Sequence, residues 1–266
     1  MRVGQHFSSN KSVGELLLKF LPSQGSLFHY TDQAASIGIR RGEVRMTRAD
    51  CFLDQSEIAY GLAILSEAAR TTLGAEEIES FNHVLGALRV RLQRCFVLSL
   101  SQDSDSDYLK SKYAGNGGAI LEFQENFPVM FHGASWHSIP NGEGSGTVHL
   151  IADLYEFFEG FVVYDRARQL QLAEIACQTY RNIQSTDTHF VDKYHFIDIL
   201  IQCCVLFKRP EFEIEKEYRI ALIRNQKDMQ SFEETINHEG KNRTLIKVMI
   251  PSSSDAVRIR ARNAQD

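Results

Sequence analysis

The order of apolar runs narrows the fold more than any other feature of this chain. Short runs with strand character are SLFHY (26–30), EVRMT (43–47), CFVLSL (95–100), AILEF (119–123), EYRIALI (217–223) and RTLIKVMI (243–250). Helical patterns fall between them: DQAASIGI from Asp32, then SEIAYGLAILSEAARTTLG and AEEIESFNHVLGALRVRL, divided at Gly74, and later RARQLQLAEIACQTYRNI and VDKYHFIDILIQCCVLF. Another helix is expected over VGELLLKFL (13–21), and FFEGFVVYD (157–165) contains a strand. Helices and strands follow no regular β-α alternation, so an α+β fold is expected over a doubly wound sheet. A single domain over 1–266 is expected, with a helical insertion at about 54–94 and an irregular loop or lid at about 124–150 that contains SIPNGEGSG (138–146).

With 43% hydrophobic residues in 266, the chain can bury a real core, which excludes a disordered protein. A formal charge of −5 lacks the basic footprint of a general nucleic-acid binder. The one basic cluster, VRIRAR with Arg258, Arg260 and Arg262, reads as a solvated end. Five cysteines, an odd count without CxxC spacing or a leader segment, are expected to be reduced thiols of a cytoplasmic protein. Cys203 and Cys204 lie in the apolar run FIDILIQCCVLF, which Asp198 and Gln202 interrupt. No run approaches the roughly 20 residues that cross a bilayer, so no membrane contact is expected.

Polar residues stand at the edges of several strand-like runs. His29, Tyr30 and Thr31 end the first run; Ser99 and Ser101 lie on the third. Tyr113 sits on a short helix that Asp105 or Ser106 would cap. Glu213, Glu215 and Glu217 alternate ahead of RIALI, and an extended backbone would turn all three to one side. Groups drawn together from such distant segments build clefts, here with an imidazole, a phenol and a carboxylate. Each residue also has an ordinary reading: His29 as a hydrogen-bonded structural histidine, Tyr113 as packing, the glutamates as a solvated edge strand. Nine histidines invite a metal, but His132 and His137 are five apart, His189 and His195 six apart, and neither HExxH nor finger spacing occurs. No metal site is expected. GNGG (115–118) runs from a helix into a strand, opposite to a phosphate loop, and reads as a turn.

In order, these segments resemble the ADP-ribosyltransferase superfamily, in the clade named for its His, Tyr and Glu. SLFHYTDQAASIGIRRGEVRMT is similar to its opening block, CFVLSLSQDSDSDYLKSKYAG to its middle block, and EKEYRIALI to its closing block. The chain is also similar to a bacterial family with an FHYT start, an SLS strand followed by YA, and a closing aromatic-x-x-E-x-E-Y-R, here Phe212, Glu215, Glu217, Tyr218 and Arg219. The resemblance spans roughly residues 26–223 and rests on about thirty positions. It implies a split, mixed or antiparallel β-sheet core with helical insertions, and NAD+ as a substrate that loses nicotinamide. It would make His29 a donor to the adenosine-side ribose, stack Tyr113 on the nicotinamide ring, and set Glu217 on the nicotinamide-ribose 2'-OH. Tyr30 and Thr31 would line the same pocket, and Ser99 and Ser101 would support the ribose. Many members carry a hydroxyl three residues before the Tyr; Lys110 stands there in this chain, with Ser111 one step along. Tyr30 follows His29 where the eukaryotic polymerases usually have Gly, which would narrow the pocket. Glu215 competes with Glu217 for the catalytic role, and a Glu-x-Glu pair is typical of arginine-modifying relatives. The implied partners are a protein or nucleic-acid acceptor and, for a toxin or defence effector with an intracellular target, a cognate inhibitor.

Two other functions fit the residues. One is a non-catalytic nucleotide- or protein-binding module on the same fold, with 54–94 as a docking surface. The other is a nucleic-acid-processing enzyme using Lys110, Lys112, Arg258, Arg260 and Arg262, which the acidic balance disfavours.

Overall fold

The computed structural model describes residues 25–52, 54, 56–115, 117–123, 136–137, 147–148, 155–185, 190–224, 233–238, 241–249 and 260–263. They fall into two compact units. One draws on Ser23–Phe52, Arg94–Glu159 and Glu213–Asp266, the other on Leu53–Gln93 and Gly160–Phe212. Helices mixed with antiparallel strands give the α+β class expected from the sequence.

The first unit is a nine-stranded sheet. Its strands are β1 (Leu27–Thr31), β2 (Glu43–Arg48), β3 (Cys95–Ser101) and β4 (Ala119–Phe123), then, after a separate pair β5 (Trp136–His137) and β6 (Thr147–Val148), β7 (Tyr155–Phe161), β8 (Glu217–Arg224), β9 (Glu233–His238), β10 (Lys241–Met249) and β11 (Arg260–Asn263). Helix α1 (Gln33–Arg40) joins β1 to β2 and starts where the Asp32 carboxylate accepts from the Ala35 amide at 2.8 Å.

β3 organises this sheet. Along one edge it pairs with β8 over its whole length, from Cys95↔Ile223 to Ser101↔Glu217. The other edge is shared: β2 takes Phe96 and Val97, and β1 takes Ser101 alone. Leu98, Ser99 and Leu100 have no strand partner there among the described residues. The sheet forks at that gap into a β1-β4-β11 branch and a β2-β10-β9 branch. β8 is buried along its entire length between β3 and β7, as a strand this apolar must be.

Two expectations change. The segment before β8 is not an extended solvated edge: Pro210–Glu215 is a 3-10 turn and Lys216 has φ of 44°. Alternation therefore fails, and Glu213 is exposed while Glu215 and Glu217 are buried. The basic tail is not merely a solvated end, because Arg260–Asn263 pairs antiparallel with β4. The strand β9, whose residues carry no apolar pattern, pairs with β10 at the end of the sheet. The GNGG turn is as read: Gly115 and Gly117 have φ of 54° and 84°, and a Cβ on Gly118 would lie 1.7 Å from the Ala114 carbonyl oxygen.

Among the described residues the second unit packs the helices α2 (Ser56–Thr72), α3 (Ala75–Leu92), α4 (Arg166–Ser185) and α5 (Phe190–Leu206). Helices thus occupy 54–94 as expected. α2 and α5 approach at Gly61, where a Cβ would sit 2.7 Å from Cys204 Cα. Tyr60 donates to Gln169 across α2 and α4 at 2.8 Å, and Tyr180 donates to Ser80 at 2.7 Å. Among the described residues no helix is long and apolar enough to cross a membrane. The expected helix at 13–21, the SIPNGEGSG loop and most of the 124–150 segment lie outside the described residues.

Candidate functional site

His29 fills the fork of the sheet. With no strand beside it on that edge, the Ser99 carbonyl needs another donor. The His29 ring supplies it, with Nδ1 2.9 Å from Ser99 O. A carbonyl only accepts, so the proton resides on Nδ1 and the neutral ring presents Nε2 as an acceptor. Burial pushes the imidazole below its ordinary value, against the opposing pull of the Ser99 hydrogen bond and of Asp32. A neutral His29 would therefore accept from a ribose hydroxyl at Nε2 rather than donate to it.

Neighbouring residues serve the loop after β3. Tyr30 alternates with His29 along β1 and turns to the other side, packing with Phe28, Leu109 and Ile120. Its hydroxyl donates to Asp103 O at 2.6 Å and accepts from the Ser106 amide at 3.0 Å. Both polar capacities of the phenol are thus committed to holding residues 103–106. Thr31 is buried at the end of β1. The Ser101 hydroxyl donates to Glu215 O at 2.7 Å and accepts from the Asp103 amide at 3.0 Å, so it ties the 3-10 turn to the same loop.

Beyond the loop, Ser106 caps a helical turn, Asp107–Leu109, that widens into a π-helical turn, Lys110–Ala114. The Gly115 amide closes it by donating to Lys110 O at 3.0 Å. Tyr108 lies on the first of these turns and Tyr113 on the second, and both pack on the Phe28–Tyr30 cluster. The Lys112 ammonium lies 5.2 Å from the Tyr108 ring centre and 5.1 Å from that of Tyr113. It donates to Glu215 Oε1 at 2.9 Å and to Tyr108 Oη at 3.0 Å. Burial would lower the Lys112 pKa, but these bonds outweigh it and raise it. Ser111 is exposed.

Glu217 and Arg219 are two apart on β8 and share a face. Arg219 donates from Nε to Glu217 Oε1 at 2.8 Å and from Nη2 to Oε2 at 2.9 Å, a bidentate pair with side chains 2% and 7% exposed. The guanidinium also lies 5.1 Å from the Phe52 ring centre. Residues opposed in an antiparallel ladder share a face, so Ser101 with Glu217 and Ser99 with Arg219 form one side of β3–β8. Phe28 opposes Ser101, which puts the Tyr30–Tyr113 cluster on that same side. Tyr113, Ser101 and Glu217 are thus brought to one face. Alternation assigns His29 to the other, and its ring meets β3 at the fork, at the Ser99 carbonyl. Tyr218 shares that opposite face, its buried phenol against Glu159, whose carboxyl burial pushes up.

The cation partners escaped sequence reasoning. The i, i+2 spacing of Glu217 and Arg219 was available as a signal, since both fall on one face of any strand. The contribution of Lys112 and Tyr108 depends on the π-turn, which no local pattern announces. Among the described residues no group of three His, Cys, Asp or Glu side chains is placed to hold a metal ion. No family model, no curated protein and no solved structure matches this chain.

Proposed function

We propose that this protein cleaves the nicotinamide–ribose bond of NAD+, as an ADP-ribosyltransferase or an NAD+ glycohydrolase. The observation that carries the reading is the forked sheet: His29 occupies the gap between β1 and β3, and the β3–β8 register sets Ser101 against Glu217. In this reading Glu217 acts on the ribose. A ribose 2'-OH would donate to its carboxylate, which the Arg219 fork holds in one orientation. Nicotinamide leaves as a neutral base, taking the electron pair of the C1'–N bond, and the cationic ribose is trapped by water or an acceptor nucleophile that gives up a proton. His29 Nε2 accepts from the second ribose, and Tyr113 supplies a ring face for the pyridinium. The resemblance alone supports a cytoplasmic toxin or defence effector, with a protein or nucleic-acid acceptor and a cognate inhibitor as partners.

Nicotinamide release from NAD+ tests this directly. The wild type should release it, and Glu217→Gln should lower the rate about a hundredfold or more while keeping the fold. Absence of both release and NAD+ binding in calorimetry would end the proposal. A second reading, a non-catalytic nucleotide- or protein-binding module, is favoured by the Arg219 fork, which offsets the charge that would stabilise an oxocarbenium ion. NAD+ binding without release, with or without added acceptor protein, is its signature.

A further inference from the structure

The Glu215 carboxylate is buried, its side chain only 4% exposed, while the lysine that neutralises it is 36% exposed and reaches in from solvent. Around the ammonium stand two tyrosine rings at 5.2 and 5.1 Å and the Tyr108 hydroxyl at 3.0 Å. Two aromatic rings and a buried anion are the components of a cation-binding cage. Ser101 fixes the Glu215 backbone, Tyr30 fixes the loop that leads into the helix, and both rings pack on the Phe28–Tyr30 cluster. None of these supports uses the Lys112 side chain. π-turns of this kind often mark functional positions.

We propose that the Tyr108–Tyr113–Glu215 cage is a binding site for an alkylammonium group, closed in this structure by Lys112 as an internal ligand that an incoming amine displaces. The occupant identifies the chemistry: a primary ammonium on a flexible alkyl stem satisfies the carboxylate and both ring faces. Such a group arrives either as a free polyamine or as a lysine side chain of another protein. In the exchange one ammonium replaces another beside Glu215, and the hydration Lys112 regains offsets what the incoming amine gives up. The inference rests on the cage and does not require NAD+ cleavage, although the two readings share the Tyr113 ring.

The probes are putrescine and Nα-acetyl-lysine methylamide, titrated calorimetrically into wild type and Lys112→Ala. Removing the internal competitor should tighten binding of at least one probe about tenfold or more, and adding Glu215→Gln to Lys112→Ala should abolish it. Preference for putrescine points to a polyamine, and preference for the lysine derivative to a protein side chain. If Lys112→Ala loses its cooperative melt, Lys112→Gln, which keeps the stem and drops the charge, takes its place. In the unaltered protein, a saturating probe should raise the acylation of Lys112 relative to the protein's other lysines, read by mass spectrometry with the reagent in excess over all amines. No binding to the folded Lys112 variants, binding indifferent to Glu215→Gln, or unchanged Lys112 acylation at saturation overturns the proposal.

Discussion

Replacing Arg219 with methionine should expose how much of the sheet's stability rests on neutralising Glu217. Arg219 and Glu217 side chains are 2% and 7% exposed and joined by two hydrogen bonds of 2.8 and 2.9 Å. Methionine keeps much of the aliphatic contact with Phe52 and removes the charge. Glu217 must then stay ionised in a dry environment or take up a proton. Proton uptake caps the electrostatic cost: with an unfolded-state pKa near 4.3, holding Glu217 neutral at pH 7 costs roughly 1.36 × 2.7, or about 3.7 kcal/mol. That falls within the roughly 3–5 kcal/mol typical of breaking a buried pair by removing one partner.

The sign of the pH dependence follows. In Arg219→Met the folded-state pKa of Glu217 lies above its unfolded value, so the folded state holds a proton that the unfolded state releases. Stability relative to wild type is then lost as pH rises above about 4.3 and recovered on acidification, the electrostatic deficit shrinking to about 1 kcal/mol at pH 5. The double variant Glu217→Gln/Arg219→Met carries no buried charge there, so it should exceed the single variant at pH 7 and lose this pH dependence. Urea denaturation at pH 5 and 7 reads all three proteins. A single variant that loses under about 1 kcal/mol at pH 7, or whose deficit is the same at both pH values, would refute the reasoning.

Three further outcomes are expected. Because the folded-state pKa of His29 is depressed, its contribution to stability should be present above pH 6.5 and lost as pH falls through the folded value, and NMR titration should find the ring neutral with its proton on Nδ1; a midpoint at or above 6.5 contradicts this. Tyr30→Phe removes the hydroxyl that holds Asp103 O and the Ser106 amide, and should cost about 1–3 kcal/mol in urea denaturation while speeding hydrogen exchange at Ser106; unchanged exchange would show the loop is held elsewhere. Gly61→Ala places a Cβ 2.7 Å from Cys204 Cα, so α2 and α5 must part, and a loss of about 1–3 kcal/mol is expected; a neutral outcome would mean the helices separate freely.

Local signals were enough to locate β1, α1 and β3. The short run SLFHY marks β1, the Asp32 carboxylate caps the next turn, and the run CFVLSLS is apolar enough to need burial on both faces. Position within the site was less legible. His29 and Tyr30 are adjacent in a strand, so alternation already placed them on opposite sides, and the structure commits Tyr30 to the loop rather than to the fork. The Glu213–Glu215–Glu217 alternation misled because period two has meaning only in extended backbone, and Lys216 at φ 44° breaks it. That conformation is held by contacts distant in sequence: the Gln102 amide donates to Lys216 O at 3.0 Å, and Lys216 Nζ reaches Asp103 Oδ2 at 3.1 Å. The basic tail joins β4, a partner more than a hundred residues away, through backbone bonds that side-chain pattern does not encode.

The two candidate carboxylates differ less in burial than in the cations that answer them. Glu215 and Glu217 are 3% and 6% exposed, so each needs a positive partner to remain ionised. Glu217 has Arg219, a rigid fork enclosed in the same sheet and stacked beside Phe52. Its guanidinium cannot leave without dismantling β8, so the charge at Glu217 is fixed and its orientation locked. Glu215 has Lys112, a flexible stem rooted on a helical turn and open to solvent. Its ammonium can be exchanged for another without breaking the sheet. A locked carboxylate suits a group that must hold one geometry toward a reacting ribose, and an exchangeable pair suits recognition of a ligand that comes and goes. Glu217→Gln should therefore affect turnover more than ligand affinity, and Glu215→Gln should do the reverse. Equal effects of the two substitutions on kcat and on amine binding would remove the division of labour between them.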